Sequence, residues 1–293
     1  MIKKSLFKAS FEESLNLEDD GFLQYQKQDY YNKLGKAFKK GRPSFWFGIK
    51  TFILSLLFPI GLNFMILVVA MSLHDSDPKD LRLPISQHPL LTVEVYLICL
   101  LIWLLLVLMG KLFKRTFILP YRYRFHIITF TIWFMFEFNL LAITITLPIL
   151  TTWGILVFFG LLVFLAYVML RTELRSLKKR MYGEVKLPTL QDKIAKGIAI
   201  YGAGILGLAV IVNYIFKAFS INFSSSVTLL GLFIFWILSN IGVIAMIVFM
   251  EFPFFLEGYY KWKYPEEYRD WEGKTVEEWY GKKYLKKHKE LLE

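Results

Sequence analysis

Long apolar runs constrain this chain more than any other feature. An α-helix rises about 1.5 Å per residue, so about 20 apolar residues cross a hydrocarbon core of about 30 Å. Six stretches meet that requirement, near 51–73, 91–110, 127–147, 152–170, 198–216 and 227–250. They run continuously apolar rather than alternating with polar residues, which excludes a transmembrane β-barrel. The expected fold class is an all-α polytopic membrane protein. It has six transmembrane helices, an N-terminal interfacial amphipathic helix and a cytoplasmic C-terminal helical tail. The expected division is 1–44 for the N-terminal segment, 45–252 for the six-helix transmembrane domain and 253–293 for an aromatic and basic tail.

The net charge of +11 has a topological explanation. Of 35 lysines and arginines, 32 fall in 1–50, 111–126, 171–197 and 251–293, and only Lys79, Arg82 and Lys217 lie elsewhere. If the N-terminus is cytoplasmic, all four basic segments are too, and the positive-inside rule sets both ends on that face. The expected location is the cell membrane, multi-pass. Heavy use of Lys, Ile, Phe and Tyr suits an AT-rich bacterial genome. The first 44 residues hold no apolar h-region, so the first span is expected to act as an uncleaved anchor. The single cysteine, Cys99, reads as an inert core residue.

Polar residues at membrane depth are the site candidates. Glu137 stands eleventh in the 21-residue run 127–147, where an ionisable group costs about 2.5–3.5 kcal/mol and marks a functional candidate. Asn139 follows two positions on, about 200° around the helix, so the two cannot line one narrow groove. Asn63, Asn213 and Asn240, each in another span, are the expected partners of Glu137, because polar groups in lipid need one another.

At the inner face, Lys111, Lys114, Arg115, Arg122 and Arg124 lie in a segment with no acid. Topology alone accounts for them, and the sharper reading is a docking surface for a soluble partner or an anionic lipid. From 21 to 40, aromatics interleave with lysines as in a helix lying on the inner membrane surface; packing on the protein's own loops is the alternative. Pro59 and Gly61 predict a kink in the first span. Leu147-Pro148 to Gly154 predicts a tight hairpin between the third and fourth spans. Pro188-Thr189 with Asp192 predicts a helix start. Tyr259, Tyr260, Trp262, Tyr264, Tyr268 and Trp271 read as an interfacial aromatic belt. Thr275 to Glu278 is a capping box opening a last helix with lysines at its end.

Several chemistries find no support. His74, Asp75, Asp77, Asp80 and His88 share an outer loop but lack metal-ligand spacing, so no metal is expected. Gly202, Gly204 and Gly207 match a dinucleotide fingerprint in letters, yet lie inside an apolar run, where Ala199, Ala203 and Gly207 fit a helix-packing face. No Walker A sequence, nucleophile elbow or zinc signature occurs, so no enzyme and no cofactor are expected. The layout resembles the membrane subunits of small ABC exporters in architecture alone. The expected function is an integral membrane transport component, a permease subunit driven by a separate cytoplasmic ATPase. The alternative is a non-enzymatic accessory or immunity-type protein guarding against a membrane-active peptide or toxin. Expected partners are the lipid bilayer, anionic lipids at the cytoplasmic face and that ATPase. No nucleic acid is expected, and self-association or a hetero-oligomer is compatible with the sequence.

Overall fold

The structure, a computed structural model, describes residues 5–18, 21–30, 32, 45–77, 85–110, 112, 115–183 and 225–291. The expected span at 198–216 lies outside the described residues, as do Asn213, Lys111, Lys114, the helix start at 188–192 and the small-residue face around Gly207. The described residues are mostly helical and hold no strand. Two short helices come first, α1 (Phe11–Leu15) and α2 (Gly21–Tyr30). Four helices are long and apolar enough to cross a membrane: α3 (Phe45–Asp75), α4 (Val93–Gly110), α5 (Thr116–Met181) and α6 (Leu229–Lys263). The short helices α7 (Pro265–Trp271), α8 (Val276–Tyr280) and α9 (Lys282–Leu285) follow.

The 66 residues of α5 are two helical arms folded at Thr151, whose φ of 60° and ψ of 170° are not helical. A straight helix of that length would separate its ends by about 100 Å. Instead Phe117 from the start and Leu177 and Met181 from the end share one core. Ala142 and Leu150 of the first arm likewise cluster with Ile155, Phe158 and Leu162 of the second. Pro148 supplies the chemistry of the turn region. Lacking an N–H, it leaves the Thr144 carbonyl without its helical donor. Ser86 N–H donates to that carbonyl at 3.0 Å and Leu90 N–H to the Thr144 hydroxyl at 3.2 Å, so the segment before α4 is stitched onto α5.

In α3 the helix widens to π geometry over Leu56–Gly61, around Pro59. The expected kink is thus an over-wide turn, a common answer to a missing backbone donor. The outward faces of the long helices are apolar and exposed; Leu97, Ile98, Leu101, Ile102, Leu105 and Leu108 cover one side of α4. Such a surface is stable in lipid and would aggregate in water.

At one end the protein builds a compact body from its own termini. Leu6, Leu17, Phe117, Met181, Tyr260 and Trp279 share its core. The expected interfacial belt is corrected in part: Tyr260 and Tyr268 are fully buried in this body, whereas Trp262 and Trp271 remain exposed. The Tyr260 hydroxyl accepts from Ala9 N–H and donates to the Leu6 carbonyl, and the Tyr268 and Ser14 hydroxyls lie 2.8 Å apart. Buried phenols need such partners, and extended N-terminal backbone supplies them. Two apolar side chains of α2, the described part of the amphipathic segment, are buried against the protein. Leu23 packs with Tyr121 and Phe254, and Tyr30 lies against Tyr123. The capping box forms with Thr275 at the N-cap of α8, but Gly281, at φ 85°, ends that helix after five residues. A side chain there would meet the Thr116 hydroxyl at 2.3 Å, so only glycine lets α8 and α9 lie against the start of α5.

Candidate functional site

Trp133 and Glu137 are four residues apart in the first arm of α5 and so share one face of the helix. Trp133 Nε1–H donates to Glu137 Oε1 at 2.6 Å. The Glu137 side chain is fully buried, and its second oxygen, Oε2, has no hydrogen-bond partner among the described residues. Tyr96 and Cys99 of α4 lie within electrostatic reach of the carboxyl. The Trp133 ring lies 5.9 Å from Tyr96 and 5.7 Å from Trp103, and Tyr96 meets Phe64 of α3 at 6.0 Å. The carboxyl group therefore sits beside an aromatic wall contributed by three helices, a setting where an unpaired oxygen is expensive.

Asn63 is fully buried in α3 but donates to the Pro59 carbonyl at 2.6 Å on its own helix, and its Oδ1 has no partner among the described residues. The expected pairing of Glu137 with Asn63 or Asn240 is not formed. Asn240 meets Asn139 instead: each amide donates to the other, at 3.1 and 2.9 Å. Trp236 Nε1–H adds a donor to Asn139 Oδ1 at 2.5 Å, and Asn240 Nδ2 also reaches the Trp236 carbonyl at 2.9 Å. The reason is angular. Glu137 points toward α3 and α4, and Asn139, on the other side of the helix, points toward α6.

The basic residues at the start of α5 are engaged within the chain. The Arg115 guanidinium lies over the rings of Tyr280 and Tyr284, at 5.8 and 5.1 Å, and its Nε–H donates to the Tyr284 hydroxyl at 3.1 Å. Arg124 stands 3.5 Å from the carboxylate of Glu251, which is nearly fully buried where α6 widens to π geometry over Met246–Glu251. Arg122 is half-buried. These contacts tie the segment to α6, α8 and α9, so the arginines hold the body together whatever else they meet.

Sequence reading misses an ion network inside that body. Glu257 of α6 is fully buried, with Oε1 at 2.5 Å from Lys27 of α2 and 3.0 Å from Lys261 one turn on. Lys27 also pairs with Glu18 at 2.9 Å, and Lys261 pairs with Glu272, which Lys274 holds in turn. Burial pushes the Glu18 carboxyl above its ordinary range although Lys27 pulls it down. Burial works the same way on Glu272, but Lys261 and Lys274 outweigh it and hold that carboxyl below its ordinary range. The spacing of Glu257 and Lys261 was a visible signal; the approach of Lys27 across 230 residues was not.

No protein-family model, curated protein or solved structure matches this chain. Among the described residues no group of three or more His, Cys, Asp or Glu side chains is placed to hold a metal ion. The arrangement provides two chemistries: a buried carboxyl group within a long apolar helix, and a charge-rich body where residues 5–30 meet 252–291.

Proposed function

We propose that this chain is a membrane transport component, the permease subunit of an exporter whose driving ATPase is a separate cytoplasmic protein. The single observation that carries the reading is Glu137, buried among α3, α4 and α5 with one carboxyl oxygen unpaired among the described residues. A purely structural carboxyl in lipid is expected to have both oxygens satisfied; one held open beside aromatic rings is suited to meet something that passes. The finer topology belongs to the same proposal: six spans, with both ends and the basic segments in the cytoplasm of the cell. The distribution of 32 of 35 lysines and arginines supports it, and so does the packing of 5–18 with 252–291 in one body. That body is the docking platform for the ATPase, since the chain carries no nucleotide-binding motif of its own.

Purification in mild detergent from cells that make the protein naturally tests this. A nucleotide-hydrolysing subunit is expected to copurify, and Glu137→Gln is expected to lower its coupled activity without lowering the yield of the complex. Recovery of the bare chain alone, or full activity in Glu137→Gln, would overturn the reading.

A further inference from the structure

We infer that Glu137 is a proton-binding site, whose proton is taken from water and returned to it during transport. This rests on the reading of Glu137 as the working residue of a transport component, and it names the species that residue meets. Charge balance leads to it. The six apolar stretches, 51–73, 91–110, 127–147, 152–170, 198–216 and 227–250, contain no lysine, arginine or histidine. They contain two acids, Glu94 and Glu137. Glu94 is exposed near one end of α4, whereas Glu137 is fully buried. An uncompensated carboxylate is very costly in such surroundings, so a group placed there is neutralised either by a fixed partner or by a proton.

The side chains facing Glu137 supply no fixed positive charge. Tyr96 and Cys99 of α4 are titratable and within its electrostatic reach, but a phenol or a thiol is either neutral or negative. In α3 no ionisable side chain occurs over 51–73, and in α6 none over 227–250. Trp133, on the same helix, gives one N–H to Oε1 at 2.6 Å. Oε2 has no hydrogen-bond partner among the described residues; Trp103, whose ring lies against Trp133, has its own N–H unpaired and does not close the gap. The two oxygens are thus already differentiated. In the acid form Oε1 is the carbonyl oxygen, which keeps its donor, and Oε2 carries the hydrogen. Binding forms one O–H bond between Oε2 and a proton delivered by hydronium, which leaves as water; release is the reverse. A proton also needs no cavity, which suits a side chain with no exposed surface.

The experiment records infrared spectra of the full chain in phosphatidylcholine nanodiscs, against those of Glu137→Gln, across pH and in both H2O and D2O. The carbonyl band of a protonated carboxyl is expected in the wild type at neutral pH and is expected to be lost in Glu137→Gln. It is expected to shift in D2O, as O–H becomes O–D, and to fade as pH rises. Trp133→Phe takes the N–H away from Oε1 and is expected to raise the frequency of the band. If Glu137→Gln does not fold, that displacement assigns the band to Glu137 in its place. Identical neutral-pH spectra for wild type and Glu137→Gln would mean that the carboxylate is ionised and matched by some other cation. A band that neither shifts in D2O nor fades with pH would mean a sealed structural acid. Either result overturns the proposal. The sample contains no ATPase, so the copurification that tests the transport reading stands or falls separately.

Discussion

Asn139 of α5 and Asn240 of α6 exchange two amide hydrogen bonds, at 3.1 and 2.9 Å, and share Trp236 as a further partner. In lipid such a pair has no water to compete with it, so it fixes the register of the two helices. Replacing either Asn by Leu is expected to destabilise the protein, and the double replacement to cost less than the two single costs added together. The coupling is expected at about 0.6–1.7 kcal/mol, measured by a double-mutant cycle on unfolding in detergent.

Trp133 is the one donor to Glu137 among the described residues. Trp133→Phe keeps the ring against Tyr96 and Trp103 but strips the carboxyl of that bond, at an expected cost of about 1–3 kcal/mol. In a Glu137→Leu background the same change is expected to cost little, because both partners are then apolar. An equal cost in the two backgrounds, read by thermal unfolding, would show that packing and not the hydrogen bond is at work.

The long helices were legible in sequence because membrane depth demands unbroken apolar runs; α4 and the folded arms of α5 follow directly from that demand. Thr275 and Glu278 were legible for a similar reason, since a capping box needs only local chemistry. What could not be read was where polar side chains go. Glu137 and Asn139 are two positions apart in sequence, yet helical geometry sends them to different neighbours, and only the packing of α3, α4 and α6 decides which. The terminal body was hidden for a related reason. Two of its aromatics, Tyr260 and Tyr268, read in sequence as part of an interfacial belt, and only contacts with Leu6, Ala9 and Ser14 make them a core.

Gly258 in α6 lies directly against Tyr121, whose ring atoms stand 2.7–2.9 Å from where a β-carbon would be. Tyr121 is itself buried and cannot swing away freely. Gly258→Ala is therefore expected to destabilise by about 1–3 kcal/mol. In a Tyr121→Ala background the clash is absent and alanine's better helix propensity, worth about 1 kcal/mol, is expected to reverse the sign.

Thr151 holds φ 60° and ψ 170°, a region that a β-branched residue enters only under strain. The surrounding arms of α5 impose it, since they must fold back to place Phe117 beside Met181. Thr151→Gly removes a strain of about 1–3 kcal/mol and adds about 0.5–1 kcal/mol of unfolded-chain entropy, so a net gain of about 1 kcal/mol is expected. Unchanged or lowered unfolding temperature would place the strain elsewhere.

The terminal body is expected to respond to pH in two opposite ways. Glu272, held by Lys261 and Lys274 below its ordinary 4.5, contributes stability that is present above that value and lost as pH falls through the lower folded one. Glu18, pushed above 4.5 by burial despite Lys27, contributes the reverse: stability present below 4.5 and lost as pH rises through its higher folded value. Glu257 and Lys261 face Glu18 as well, with opposite effects on its charge. The two carboxyls together favour the fold most in the window between the lowered folded value of Glu272 and the raised folded value of Glu18, where Glu18 is protonated and Glu272 still ionised. Hydrogen exchange of 252–291 across that range is the measurement. Glu18→Gln is expected to flatten the gain between neutral and mildly acidic pH, and Glu272→Gln to flatten the loss on the acid side. Because Lys27 ties Glu18 to Glu257 while Lys261 ties Glu257 to Glu272, each substitution is also expected to shift the other's transition; two independent curves would mean that the network does not act as one unit.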